Sequence, residues 1–390
     1  MPVSGHLVVW TGRVGDYGPG RDEERSTFVK HVASLDGLRG IAVLLVVAFH
    51  YFPREVAGPF SAIASAGWMG VGVFFVLSGY LITTILYDQR GREHYFRNFY
   101  MRRVLRLFPL YYSLFLFALV LTPVLHIHWR PGHLVMVFYG ANLVLPFDGS
   151  LRWLGPFNLF HTWSLAAEEQ FYLVWPWLVG SQMSKATLRR VCLAGVVGTP
   201  LLRLALLHAN VQPWLIYESL PTRIDSLLAG ALLAMMPLPS PRVARIAGAA
   251  ALVILGVVIW KGHSSYFLAR PMQGLGYSAL ALLSVAVLAM SLSSGTIAQR
   301  VCSWGVLRFY GRYSYGLYLL HYWFSRAFRS LQDWIMRHSV VPAMGAFLSF
   351  SVILFCSTLM AVASYRWLEQ PFLRLKEKFS SQPARQLSRV

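Results

Sequence analysis

The chain has 390 residues, 56% of them hydrophobic and 13% charged, which leaves too little polar surface to coat a soluble globule of this size. Lys and Arg number 35 against 16 Asp and Glu, a formal net charge of +19; in so apolar a chain this excess reads as the loop bias of a membrane protein, not as a nucleic-acid footprint. Apolar runs of ~20 residues suit helices across a ~30 Å hydrocarbon core and exclude the short alternating strands of a barrel.

The expected fold is therefore an all-α integral membrane protein with about ten transmembrane helices and both termini cytoplasmic. The spans begin near Leu38, Gly67, Leu107, Phe160, Val191, Pro221, Ile246, Gln273, Val306 and Ala343. Residues 1–33 read as a polar N-terminal tail with no cleavable signal peptide, 34–372 as the membrane domain and 373–390 as a basic cytoplasmic tail. An eleventh apolar run, Gly132 to Phe147, is short and carries Asn142 and Pro146, so it reads as re-entrant or interfacial.

This topology gathers Arg90, Arg92, Arg97, Arg102, Arg103 and Arg106, then Lys185, Arg189 and Arg190, then Arg242 and Arg245, and finally Arg374, Lys376 and Lys378 on the inside. The loops near Pro59 and Gln212 are nearly free of Lys and Arg. One loop disagrees, because Arg326, Arg329 and Arg337 would lie outside. Cys192, Cys302 and Cys356 are too few and scattered for a disulfide framework or a metal site. His126, His128 and His133 lack ligand spacing, so no metal is expected.

The first helix runs from Ser34 to His50. Ten residues lie between Arg39 and His50, eleven steps with ~16 Å of rise and close to three full turns, so both share a face at different depths. An ionisable side chain in such a setting is a functional candidate, against the alternative of a neutral imidazole satisfied by a neighbouring helix. Asp36 reads as the N-cap or as an i, i+3 partner of Arg39. Small residues in the second helix, Gly70, Gly72, Ser78 and Gly79, read as helix-packing positions, and Ser78 has no base in its sequence neighbourhood.

Arg103 and Arg106, three apart, share one face at the start of the third helix, with planar donors suited to phosphate. Glu168 and Glu169 enter an apolar helix behind His161, ~100° apart, so at most one faces a given site. Pairing of either with Arg203 or Arg223 is the structural alternative. Arg223 and Asp225 lie at a later helix mouth, and His321 lies well inside the ninth helix. This topology puts His50, Glu168 and His321 in the middle or outer half of the membrane, apart from the arginine pair.

Six stretches in this order form a pattern: Leu35-Asp-Gly-Leu-Arg-Gly with His50, Phe74-Phe-Val-Leu-Ser-Gly-Tyr, Arg103-x-x-Arg106, Trp163-Ser-Leu-x-x-Glu-Glu-x-Phe-Tyr, Tyr318-Leu-Leu-His321 and Glu369-Gln-Pro-Phe. Together they resemble the motif series of the acyltransferase 3 family, membrane-bound enzymes that acylate sugars, glycans, peptidoglycan, macrolides and related hydroxyl compounds. The resemblance covers Leu35 to Phe372. It implies that Arg39 and His50 form the essential pair of the first helix, and that Arg103 and Arg106 serve the donor. Many relatives continue into a soluble hydrolase-like domain; with 18 residues after Phe372, transfer is expected in the membrane domain itself or on a partner.

The expectation is an O-acyltransferase of the cell membrane that takes its acyl group from acyl-CoA, acetyl-CoA or a close homologue, and gives it to a hydroxyl of a carbohydrate or sugar-bearing compound. His50 acts as general base or transient acyl carrier. Arg39 orients the donor or stabilises negative charge, Arg103 and Arg106 hold the coenzyme A phosphates, Glu168 orients or charge-balances the site, and His321 takes part. The alternative from another class is a transporter or flippase that uses the same buried charges as a path.

Overall fold

In the computed structural model residues 32–379 are described, with 55 and 57 excepted. A solvent without hydrogen-bond partners forces the backbone to satisfy itself, and helices make up most of the described chain. The principal ones are α1 (Ala33–Tyr51), α2 (Gly70–Gln89), α3 (Tyr95–Val120), α4 (Thr162–Gly180), α5 (Lys185–His208), α6 (Ile224–Ala234), α7 (Pro241–Gly262), α8 (Tyr277–Leu292), α9 (Gly305–Arg312), α10 (Ser314–Trp323), α11 (Ser325–His338) and α12 (Pro342–Ser364). The one sheet among the described residues is a two-stranded antiparallel hairpin, with Trp153 opposite Asn158 and Leu154 opposite Phe157.

Among the described residues, seven helices are long and apolar enough to cross a membrane, so the all-α membrane expectation holds at that level. Three of the expected segments look different. α4 interrupts its apolar face with Ser164, Glu168, Glu169 and Gln170. α6 has 11 residues, only ~16 Å of rise. The segment near Val306 is two helices, α9 and α10, that meet at Tyr313.

The run Gly132 to Phe147 does not form a spanning helix. It folds as the short helices Pro131–Val137 and Ala141–Val144, with Leu134, Phe138, Leu143 and Phe147 exposed. The arginines that broke the charge pattern lie on α11, which buries Ser325, Phe328 and Ile335 on one side and leaves Arg326, Arg329 and Arg337 exposed on the other. That two-faced pattern fits a helix lying along a surface rather than a loop between spans. Asp36 is not the N-cap: α1 starts at Ala33 after Val32, and Asp36 Oδ1 accepts from Arg39 Nη1 at 2.9 Å.

Glycines set the helix spacing. A Cβ on Gly40 would sit 2.0 Å from the Leu307 carbonyl oxygen, and one on Gly311 would sit 1.7 Å from that of Asp36, so α1 and α9 meet backbone to backbone. α2 and α6 interlock the same way, with Gly79 against the Leu227 carbonyl and Gly230 against that of Val76. The packing role read for Gly70 and Gly79 is present, whereas Gly72 faces open space.

Arg203 and Asp225 form a fully buried ion pair of 3.0 Å. The guanidinium also donates to the carbonyls of Thr222 and Gly274 and to Ser278 Oγ, which in turn donates to Asp225 Oδ2 at 2.7 Å. The Gly274 carbonyl belongs to a π-helical turn, Met272–Gly276, whose widened backbone frees it to accept. Such saturation is what an ion pair needs where water is absent; it ties α5, α6 and α8 together.

Replacing Gly79 by Ala is expected to cost ~1–3 kcal/mol through overpacking against α6, whereas Gly72→Ala on the same helix leaves the unfolding midpoint in detergent nearly unchanged. Equal midpoints for the two variants would contradict this account of the packing.

Candidate active site

α1, α2, α3, α4 and α10 enclose a cavity of about 180 Å³, room for roughly a dozen waters at ~10–15 Å³ each. α2 lines it from Val71 to Ile85, fourteen steps and so ~21 Å of helix axis, well over half of a ~30 Å hydrocarbon core. Arg39, Arg103, Arg106 and Lys376 stand toward one end; Val71, Phe74, Ser164 and Tyr318 stand toward the other.

The basic end follows from α3. Arg103 and Arg106 lie on one face of it by their i, i+3 spacing, and the Arg103 guanidinium rests over the rings of Phe99 and Tyr172, 5.7 and 5.1 Å from their centroids. Arg39 has Asp36 as its partner. Glu168 is the one carboxylate in the lining. Its Oε1 accepts from Ser78 Oγ at 2.9 Å and its Oε2 from the Tyr172 hydroxyl at 3.0 Å, so neutral donors hold it. Four cations therefore line the cavity with one carboxylate, and among the described residues only Arg39 has a further acidic partner, Asp36, in an ion pair. Buried cations without matching anions are costly, and planar guanidinium forks pair best with phosphate or carboxylate.

A second cluster lies beyond Tyr318. His321 Nδ1 lies 2.9 Å from the Leu317 carbonyl, and His50 Nδ1 lies 2.9 Å from that of Val46. A carbonyl only accepts, so both Nδ1 atoms carry the proton in the neutral rings. His321 Nε2 is then a lone pair that accepts, at 3.2 Å, from the same His50 Nδ1–H, which is shared with the Val46 carbonyl. This assignment leaves the His50 Nε2 lone pair uncommitted, the state that a general base requires. The Tyr51 hydroxyl fixes the backbone of the dyad by donating to the His321 carbonyl at 2.5 Å.

The Tyr318 hydroxyl lies 2.6 Å from Ser164 Oγ and 3.2 Å from the His161 carbonyl. Its ring centroid is 5.9 Å from that of His321, so one side chain walls the cavity and touches the histidine cluster.

The structure thus brings Arg39, Arg103, Arg106 and Glu168 together, and brings His50 and His321 together, with Tyr318 between the groups. Glu168 sits with the arginines rather than with the histidines as expected from depth. Arg203 and Arg223 do not pair with it: the first holds Asp225, and the second lies 4.1 Å above the Tyr277 ring centroid. Ser78, read as having no base in its sequence neighbourhood, hydrogen-bonds a carboxylate ninety residues away in sequence. Four further residues belong here. Tyr172 and Tyr318 lie within the quoted motifs; Lys376 falls in the stretch read as tail. His161, one residue before α4, is buried with both ring nitrogens sealed and unpartnered, its centroid 5.9 Å from that of His321. No group of three or more potential metal ligands occurs among the described residues, and His133 Nδ1 accepts from the Arg130 amide at 3.0 Å.

A family model described as an acyltransferase domain matches residues 32–365. Among curated proteins, the chain is 31% identical over 317 residues to the peptidoglycan O-acetyltransferase OatA of Listeria monocytogenes, covering 75% of this chain and 49% of that protein. It is 30% identical over 369 residues to Bacillus subtilis YrhL, provisionally named a peptidoglycan O-acetyltransferase, covering 88% of this chain and 55% of that one. A Staphylococcus aureus protein provisionally named an O-acetyltransferase is 27% identical over 370 residues, covering 88% and 58%. The chain spans about half the length of these curated relatives. No solved structure matches.

A cysteine placed at Leu81 in a background without the three native cysteines is expected to react on the order of tenfold faster with an anionic than with a cationic methanethiosulfonate, since a cavity lined by one sign of charge concentrates the opposite ion. Arg106→Gln reduces that ratio. Equal rates for the two reagents would mean that the cavity carries no net positive field.

Proposed function

Since this chain belongs to the acyltransferase-domain family, we propose that it is a membrane-bound O-acyltransferase that moves an acetyl group, or a close acyl homologue, from acyl-CoA to a hydroxyl of a cell-surface carbohydrate. The names of its relatives support the reaction and the glycan acceptor. The observation that carries the coenzyme A donor is the long cavity with a basic mouth. Arg103 and Arg106, with Arg39, receive the phosphates; the flexible apolar arm lies between α2, α4 and α10; the thioester arrives beside Ser164 and Tyr318.

The same reading orients the protein. The helices cross ten times, α9 and α10 counting as one passage, and the basic cavity mouth and both termini face the cytoplasm of the cell membrane. α11 then rests on the outer surface, where its arginines reach the headgroups, so the exception in the charge pattern belongs to a surface helix rather than to a loop between spans.

His50 supplies the chemistry. Its Nε2 takes the proton of the acceptor hydroxyl as the oxygen attacks the thioester carbonyl. The tetrahedral oxyanion collapses, the C–S bond breaks, and the departing thiolate takes the proton back from the imidazolium. His321 positions the base by accepting from its Nδ1–H, the arrangement that fixes a catalytic tautomer. Tyr318 moves aside for the acyl group to reach His50. On the far side of the dyad, Tyr322 lies 4.2 Å from the His50 ring centroid, followed by Phe160 and Trp214, with Arg152 over the last two. This aromatic path is where a sugar ring docks its apolar face.

Purified protein in nanodiscs, given acetyl-CoA and soluble glycan fragments, is expected to release coenzyme A and acylate the glycan. His50→Gln lowers the rate by at least ~100-fold, as loss of a general base does, while Arg103→Gln chiefly raises the KM for the donor. If folded wild-type protein consumes no thioester across several acyl chains and acceptors, the enzyme reading fails and a solute-transport assay takes its place.

A further inference from the structure

Beyond α12, the chain passes through a π-helical turn, Tyr365–Glu369, and the short helix Gln370–Leu375, and its 3-10 turn Lys376–Phe379 packs back on α3. The Arg97 guanidinium lies 5.6 Å above the Phe379 ring centroid, which pins the turn to the first half of α3. Lys376 reaches the cavity wall beside Arg39, Arg103 and Arg106.

Most of the nearby carboxylates are already engaged, and Glu169, whose Oε1 is buried without a hydrogen-bond partner, faces the Arg103 charge. Asp36 holds Arg39, Glu168 accepts from Ser78 and Tyr172, and Glu369 accepts from Ser364 Oγ at 3.1 Å. Among the described residues, Lys376 has no carboxylate within ion-pair distance. Its surroundings are cationic on several sides: Arg39 from α1, and Arg102, Arg103 and Arg106 from α3. A lysine packed into such a place without an anion is explained by an anion that arrives.

We propose that the 376–379 turn is a phosphate-binding strap: Lys376 completes a four-cation cradle with Arg39, Arg103 and Arg106 for a multiply phosphorylated ligand, and it takes up a proton as that ligand binds. The donor's coenzyme A head is the ligand that the proposed function supplies, and the inference rests on that reading for its physiological ligand only. The cradle is open to test with a polyphosphate that carries no thioester.

The proton follows from the electrostatics. Burial, and then repulsion from Arg106, Arg103, Arg102 and Arg39, push the Lys376 ammonium from 10.5 down to about 7. A bound phosphate favours the charged form and reverses that shift. Below pH ~7 the lysine of the empty site is already charged and binding takes up little. Above it the lysine is neutral, and each binding event draws close to one proton from solution. Affinity therefore falls as pH rises, by about eightfold between pH 6.5 and 8 for a group titrating near 7. The ligand's own phosphate monoester titrates near ~6, but it contributes equally in every variant.

The test is titration calorimetry with coenzyme A and, separately, with inorganic pyrophosphate, on protein in nanodiscs of zwitterionic lipid, in two buffers of different ionisation heat. Wild type is expected to bind both and to take up close to one proton at pH 8. Lys376→Arg, which keeps its charge, binds with no uptake at this residue. Lys376→Met binds on the order of tenfold more weakly with the same loss of uptake. If Lys376→Met binds coenzyme A with wild-type affinity and proton uptake, the strap is overturned while the coenzyme A donor stands. Wild-type binding of pyrophosphate with the expected uptake, but none of coenzyme A, keeps the cradle and removes the donor. Binding of neither ligand ends both.

Discussion

Charge has no cheap place in hydrocarbon, and this fold meets that constraint in two opposite ways. Arg203 and Asp225 cancel each other inside a shell of carbonyls and a serine hydroxyl, with no group left to offer a ligand. Arg39, Arg103, Arg106 and Lys376 are gathered around a cavity with one carboxylate among them. The first arrangement anchors helices and the second leaves positive charge waiting. Burial alone does not separate structural from functional ions here; the satisfaction of their partners does.

Helix packing creates the space that the waiting charges share. α2 is held on one side through Gly79 against α6 and on another through Gly70 against α1, with backbones closer than side chains permit elsewhere. Its remaining face, from Val71 through Phe74 and Ser78 to Ile85, is left to line the cavity. Small residues thus do two jobs on one helix, since pulling two flanks tight keeps the third open.

Much of this was legible in the sequence where the interaction is local. The i, i+3 spacing of Arg103 and Arg106 and the three-turn separation of Arg39 and His50 are properties of one helix, and the structure preserves them. What the sequence hid depends on how different helices slide past one another. Ser78 meets Glu168 across ninety residues, and nothing near either announces it. Depth along the helices puts Glu168 in the same half of the membrane as His50, but a cavity ~21 Å long makes depth a poor guide to company. His161 stood in view at the head of α4, yet only the packed neighbours show its two nitrogens sealed without partners. Lys376 was hidden by composition, because a basic stretch after the last span reads as loop bias until the chain is seen folding back onto α3.

Tyr318 stands between the two clusters. Under the proposed function this separation has a chemical use. A thioester beside a competent base and water hydrolyses, so an enzyme that transfers the acyl group to a sugar must keep water from the base while the donor sits in the cavity. Tyr318 is suited to that task because both ends of its position are fixed: its hydroxyl is held between Ser164 and the His161 carbonyl, and its ring lies against His321. Displacing it breaks hydrogen bonds in a poorly hydrated place, a cost that the empty cavity does not offset and that a seated donor does. The histidine dyad is oriented by two backbone carbonyls rather than by a carboxylate. A neutral base needs no counter-ion, which is what a site between two faces of a membrane requires.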